Sequence, residues 1–259
     1  MNQIEIKKNA KKLAIAFNKG SFISPISTKF TKNSKVANML RAESESLIKS
    51  PIIGFKAGGT GKAMLKKLGE KEPFYAAIFK KNLLKSNGSV KINKYTLGIE
   101  LEVFYQVKKS FFSNSKKITE KNVSSVVSHM GPCIEVVGYR QKKKGLTYLG
   151  DLISDFGANV KFIIGKKQKF KKLKFNNLAT SLYNKKSGQV ANGNTKTVYD
   201  SPLKSLIWLL NKIKKDKIDL NKDFLVFTGS TVGVVPIQKT GLFKGEIKSL
   251  GSVKAKIKN

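Results

Sequence analysis

Cysteine is almost missing. Cys133 is the single one in 259 residues, which excludes a disulfide framework and a thiolate metal cluster and points to a reducing cytoplasm. Histidine is as sparse, and His129 alone rules out a metal site built on several imidazoles or a multi-histidine relay. Acidic residues number 16 against 51 basic ones, and of those 51 only Arg41 and Arg140 are arginine. Long apolar runs are lacking too. The greasiest stretches, 206–210 and 232–235, fall far short of the roughly 18 residues of a membrane span. The first twenty residues interrupt their apolar positions with lysines every few places, the pattern of an amphipathic helix and not of a secretory signal.

What is there is a hydrophobic fraction of 40%, enough for a buried core in one or two globular domains. The net charge of +35 first suggests nucleic acid or an anionic membrane. Arginine is the residue that reads phosphate and base edges bidentately, and here the excess is lysine spread from Lys7 to Lys258. We therefore expect most of this charge to be solvated surface, with neither a specific nucleic acid nor a membrane as partner. A lysine-rich polyanion-binding protein is the alternative of a different class.

Residues 1–90 carry a helical signal, with Ile4, Leu13 and Phe17 in one segment and Val36, Met39, Leu40 and Leu47 in a second. A short apolar strand then runs into Ala57-Gly58-Gly59-Thr60, followed by a short helix over 62–68. From residue 91 the character turns to β, with strands expected over 96–107, 133–139, 160–164, 225–228 and 254–258. Helices are expected over 120–129, which would put His129 near a helix end, and over 202–214, with Ser201 or Asp200 as N-cap and Pro202 at the first position. The basic runs 142–144 and 166–174 read as exposed turns or an edge segment. The division expected is a helical cap region over 1–90 and a β-rich catalytic domain over 91–259.

Because acids are scarce, those inside apolar strands are informative. In Leu97-Gly98-Ile99-Glu100-Leu101-Glu102-Val103, alternation puts Glu100 and Glu102 on one face, about 7 Å apart, and the apolar residues on the other. Two such carboxylates suit Mg²⁺ or Mn²⁺, which want oxygen ligands, although a strand with a solvated acidic face has the same spacing. Glu135, alone in Cys133-Ile134-Glu135-Val136-Val137, is the natural third ligand, since an unpaired charge there is costly. Lys56 precedes glycines that let backbone approach a ligand, and beside a metal and a bound anion it can serve as a proton donor or charge stabiliser, desolvation and the neighbouring positive charge lowering its pKa. Thr228-Gly229-Ser230-Thr231 offers hydroxyls and backbone N–H groups to a carboxylate, or makes an ordinary turn. A Cys133–His129 nucleophile pair has little support, and His129 reads as structural.

Taken in order, Gly54-Phe55-Lys56-Ala57-Gly58, Leu68-Gly69, Glu72-Pro73, Gly98-Ile99-Glu100-Leu101-Glu102, Pro132-Cys133-Ile134-Glu135, Asp151 and Asp155, Ser201-Pro202-Leu203, Thr228-Gly229-Ser230 and Leu250-Gly251-Ser252 resemble the fumarylacetoacetate hydrolase superfamily. Within it they are similar to the group of 2-keto-4-pentenoate hydratases and oxalocrotonate decarboxylases. The resemblance implies an α+β fold, a mixed β-roll with an N-terminal helical region, assembled as a homo-oligomer. It implies a divalent metal held by Glu100, Glu102 and Glu135, with Lys56 catalytic. Substrate contacts would come from Lys56, Asn159, Thr228 and Gly229. The activity implied is addition of water to a short unsaturated 2-keto acid such as 2-hydroxypenta-2,4-dienoate, with a related decarboxylase or C–C hydrolase as alternative. Two positions depart from the family pattern. Phe74 stands after Pro73 where an aspartate is usual, and Phe156-Gly157-Ala158 follows Asp155 where asparagine and small or hydroxyl residues are usual.

Overall fold

The strand Ile52–Gly58 (β1) joins the N-terminal residues to the sheet that carries the acids. In a computed structural model, which describes residues 2–171 and 175–259, the further strands are β2 (Phe74–Phe79), β3 (Leu83–Lys85), β4 (Gly88–Lys91), β5 (Thr96–Val107), β6 (Val127–Gly138), β7 (Asn159–Ile164), β8 (Gln168–Lys169), β9 (Ala179–Asn184), β10 (Gln189–Asn194), β11 (Phe224–Ser230), β12 (Gly241–Ile247) and β13 (Gly251–Lys258). The helices are α1 (Gln3–Lys19), α2 (Ser34–Ser46), α3 (Lys62–Lys67), α4 (Ser110–Ser113), α5 (Val123–Val126), α6 (Leu149–Ser154) and α7 (Pro202–Lys215). None of them is long and apolar enough to cross a membrane.

Two sheets form. The larger runs β2-β1-β11-β5-β6-β7-β3, with β8 added beside β6, and the smaller runs β10-β9-β12-β13-β4. Pairing is mixed: β1 is parallel to β11 and antiparallel to β2, whereas β5 and β6 are antiparallel over their whole length. The α+β class expected from the sequence is what the chain adopts. The boundary expected at residue 90 falls inside β4, which pairs with β13.

Alternation assigns each face of the larger sheet. Ile99, Leu101, Val103, Ile134, Val136 and Val226 join the main core with Phe243, Val253 and Ala255 of the smaller sheet. Gly245 permits this approach, because a Cβ there would lie 2.5 Å from the Leu101 side chain. The opposite face carries a second cluster of Ile78, Phe104, Cys133, Phe162, Leu225 and Phe227, and on that same face lie Lys56, Glu100, Glu102 and Glu135. Helix α1 buries Ile6, Ala10, Leu13 and Phe17, and Phe17 stacks on Phe79 and Phe156 at 5.3 and 4.5 Å between ring centroids.

Most expected elements stand where alternation and caps put them: β5 spans the residues expected, and Ser201 caps α7 by accepting from the Lys204 N–H at 3.1 Å. One differs. The helix expected over 120–129 shrinks to Val123–Val126, and His129 sits on β6 opposite Gln106. Pairing with the twelve-residue β5 outweighs the weak helical pattern of a Val-Ser-Ser-Val segment, whose β-branched residues favour a strand. The basic run after residue 166 continues into β8 at the sheet edge, and its residues 172–174 lie outside the described residues.

A test of this architecture is Gly54, whose added Cβ would meet the backbone oxygen of Leu225 at 2.0 Å. Gly54→Ala must part β1 from β11 and should cost about 3 kcal/mol, the upper end of ordinary overpacking. Gly188→Ala, at φ +68° with nothing within 4 Å, should cost only the roughly 1 kcal/mol of a left-handed alanine. Urea denaturation of both variants measures the contrast, and equal losses would contradict the close β1–β11 contact.

Candidate active site

The pairing register brings the three acids together. Glu100 lies directly opposite Glu135 across β5 and β6, and Glu102 is two residues further along the same face. One oxygen from each carboxylate falls within 4.8 Å of the others. Glu102 and Glu135 are fully buried, and Glu100 is half-buried at a cavity wall. A solvated acidic face is thereby excluded. Both oxygens of Glu102 and Oε2 of Glu135 lack a donor at full hydrogen-bond geometry; the Gly229 N–H is turned toward Glu102, and the Glu102 carboxyl toward Glu135, to which it donates when protonated.

Like charges opposed across a sheet repel, and burial raises the cost of charging them. Burial first, then Glu135 and Glu100, holds the Glu102 carboxyl well above the usual carboxylate range. Glu135 is pushed up to about 7 by burial, with Lys56 opposing that rise and Glu100 adding to it. Burial raises Glu100 too, against the pull of Lys56. Three hard oxygen donors with orphaned lone pairs, each reluctant to carry charge alone, fit a divalent cation. The triad can hold a metal.

Lys56 reaches this cluster from β1, on the far side of β11. Its Nζ lies 2.5 Å from Glu135 Oε1, donates to the Gly157 carbonyl at 3.2 Å and stands 6.0 Å from the centre of the Phe162 ring. Burial disfavours the ammonium, yet Glu135, Glu100 and Glu102 together outweigh it and raise the pKa. With no cation on the acids, the three carboxylates nearby outweigh desolvation.

The carbonyl that Lys56 uses belongs to an unusual turn. Phe156, Gly157 and Ala158 have φ of 54°, 68° and 57°, a left-handed run that costs on the order of 1 kcal/mol or more per non-glycine residue. Asp155 anchors it, accepting from the Arg140 N–H at 2.9 Å, the Arg140 guanidinium at 3.1 Å and the Gln141 side-chain amide at 3.1 Å. Sequence reasoning missed this support. Its signal was the rarity of arginine, because both arginines are buried in ion pairs, Arg140 with Asp155 and Arg41 with Glu45 at 2.6 Å.

A cavity of about 660 Å³ opens above the acids, lined by Lys56, Glu100, Gly157, Gly229 and residues from β1, α3, α6 and the 230–234 loop. Of the expected site residues, Lys56, Glu100, Glu102, Glu135 and Gly229 are brought together. Glycine is required at 229, where φ is +103° and a Cβ would lie 2.1 Å from Thr60 Oγ1. Thr228 and Asn159 are not on the cavity wall. The Thr228 hydroxyl donates to the Val103 carbonyl at 2.8 Å, and the Asn159 amide donates to the carbonyls of Phe156 and Ala77. Phe74 does line the cavity, its ring packed against Gly58, where a Cβ would be 2.3 Å away. His129 stands half-buried on β6 opposite Gln106.

No family model matches the chain. Its sequence relatives include proteins named 2-keto-4-pentenoate hydratase: one from Burkholderia vietnamiensis is 22% identical over 206 residues, covering 79% of this chain and 77% of the relative, and one from Pseudomonas putida is 19% identical over 209 residues, covering 80% and 77%. Among solved structures, a 4-oxalocrotonate decarboxylase from Pseudomonas putida G7, complexed with magnesium and adipate, superposes with a TM-score of 0.83 at 19% identity over 100% of this chain and 99% of that one. A fumarylpyruvate hydrolase from Pseudomonas aeruginosa in complex with Mn²⁺ and pyruvate matches at TM-score 0.58 and 15% identity, over 80% and 90%. The fold is that of these solved structures, and in sequence the chain is similar to proteins named 2-keto-4-pentenoate hydratase, the group that its motifs resemble.

Proposed function

We propose that this chain is a metal-dependent hydratase that adds water to a short unsaturated 2-keto acid such as 2-hydroxypenta-2,4-dienoate, and that it works as a cytoplasmic homo-oligomer. One observation carries the reading. Three carboxylates and one ammonium converge with a formal charge of −2 on a buried face, and a divalent cation neutralises it. Glu100, Glu102 and Glu135 would hold Mg²⁺ or Mn²⁺. When bound, such an ion supplies Lewis-acid stabilisation of the negative charge that develops on a keto oxygen.

The chain's own residues do the rest. Lys56, paired with Glu135 beside the other two acids, is placed to act as a proton donor and charge stabiliser. Glu135 and the Gly157 carbonyl fix its direction. With Phe74 where the family has an aspartate, Lys56 and Glu100 are the charged side chains on the cavity wall among the described residues. Proton transfer is thus assigned to Lys56. The same enolate chemistry serves decarboxylation or C–C cleavage, and the product distinguishes them.

Two sets of measurements test this reading. Lys56→Met should lower turnover of 2-hydroxypenta-2,4-dienoate with Mg²⁺ or Mn²⁺, read as loss of the dienol absorbance, by roughly 10²–10⁴-fold, the usual range for a positioned acid or base, while metal-induced thermal stabilisation remains. Release of CO₂ from oxalocrotonate without dienoate hydration would move the assignment to decarboxylation.

The second is pH dependence. Carboxyls whose folded pKa is raised bind more protons folded than unfolded, so metal-free stability should fall as pH climbs from about 4.3, the unfolded glutamate value, through the Glu135 value of about 7. Metal must displace those protons, and its stabilisation should be larger at pH 8 than at pH 5. Glu102→Gln should make the metal-free protein more stable at pH 8 and abolish the metal-induced rise in Tm. Calorimetry with unchanged metal response in Glu102→Gln would sink the site.

A further inference from the structure

The wall of the cavity away from the acids is mostly apolar and otherwise neutral in a chain that is crowded with cations. Of 51 basic residues, Lys56 is the one that lines the cavity among the described residues, and it lies on the floor, 3% exposed and engaged with Glu135. Around and above it stand Met64, Phe74, Leu146, Leu152, Val232 and Val234. Leu146 and Val234 are 38% and 48% exposed, which places them at the mouth. Two hydroxyls on the wall are turned back into the protein: Tyr139 Oη donates to the Gly145 carbonyl and Ser230 Oγ to the Gly233 carbonyl, each at 2.8 Å.

Size adds to chemistry. At about 30 Å³ of liquid volume per non-hydrogen atom, the figure for water, a five-carbon keto acid of eight such atoms takes about 240 Å³. That is well under half of the cavity's 660 Å³. Beyond it Met64, Phe74, Leu146, Leu152, Val232 and Val234 reward methylene groups, the polar side chains among them (Thr60, Asn192, Thr197 and Thr231) are neutral, and no further cation lines the cavity among the described residues, so a second carboxylate placed there would be desolvated without a counter-charge.

We propose that the site selects 2-keto acids with one carboxylate and an apolar tail longer than that of a five-carbon substrate, and rejects dicarboxylates, with Phe74, Leu146 and Leu152 as specificity-determining residues. This rests on the keto-acid reading of the site but not on the reaction that follows binding. It also changes what the surface lysines can do: they draw any anion toward the protein, and the cavity wall then sorts anions by their tails.

The test is binding of unreactive saturated acids to the Mn²⁺-loaded protein by calorimetry. One methylene in an apolar pocket discriminates roughly 10–200-fold, so 2-oxooctanoate should bind at least tenfold tighter than 2-oxopentanoate. The dicarboxylate 2-oxoadipate should be the weakest of the three. Leu146→Lys, a change at an exposed position, should reverse the order by tightening 2-oxoadipate and weakening 2-oxooctanoate. Equal affinities, tighter 2-oxoadipate in the unmodified protein, or no binding by any acid would each overturn the inference. Dienoate hydration with a flat binding series overturns the specificity alone. The expected series without hydration overturns the hydratase reading and leaves the specificity standing.

Discussion

Two carboxylates set opposite each other on neighbouring antiparallel strands, with a third two residues away, all turned to a face shared with phenylalanine rings, are an arrangement that folding alone does not favour. Glu100 against Glu135 is a repulsive cross-strand pair, and the oxygens of Glu102 have neither solvent nor a donor at full hydrogen-bond geometry. The rest of the structure answers this constraint. The main core on the other face of β5 and β6 supplies the stability that the acids consume. Lys56 is carried in from β1 to offset one charge. The remaining charge is left for a cation, and in its absence protons fill the role, which is the physical meaning of the raised pKa values.

The position of Lys56 depends in turn on backbone held in an unfavourable conformation. Gly157 presents its carbonyl to Nζ from within a left-handed turn, and that turn persists because Asp155 ties it to Arg140 and Gln141 and because Phe17 of α1 packs on Phe156. The N-terminal helices are therefore connected to the chemistry through two layers of contact, although they supply no residue to the metal triad. Strain of this kind is kept where function needs a group aimed in one direction.

The acids were legible because strand alternation is a strong pattern and because carboxylates are rare in this chain: Glu100 and Glu102 in one apolar strand and Glu135 in another needed only the register to bring them together. Lys56 was legible from the glycines that follow it. Other parts had no such signal. Phe74–Phe79 is a buried apolar run that periodicity cannot tell from a core helix, and Gln189–Asn194 is a strand of residues with poor strand propensity, held by pairing with β9. The turn at Gly157 acts through backbone, which side-chain motifs do not show. Thr228 and Asn159 have the right chemistry for ligand contacts, but their donors are used by neighbouring carbonyls. Arg140 and Asp155, fifteen residues apart, are joined by the fold and not by spacing.

The excess of lysine is a property of the surface, and the site is defined by its scarcity of cations: one ammonium facing three carboxylates. That account has a direct test in a crystal grown with Mn²⁺, with data collected at the manganese absorption edge. It predicts one strong anomalous peak at coordination distance from oxygens of Glu100, Glu102 and Glu135, roughly 2.0–2.2 Å. A map with no peak among these three carboxylates, while Mn²⁺ is bound elsewhere or nowhere, would contradict it.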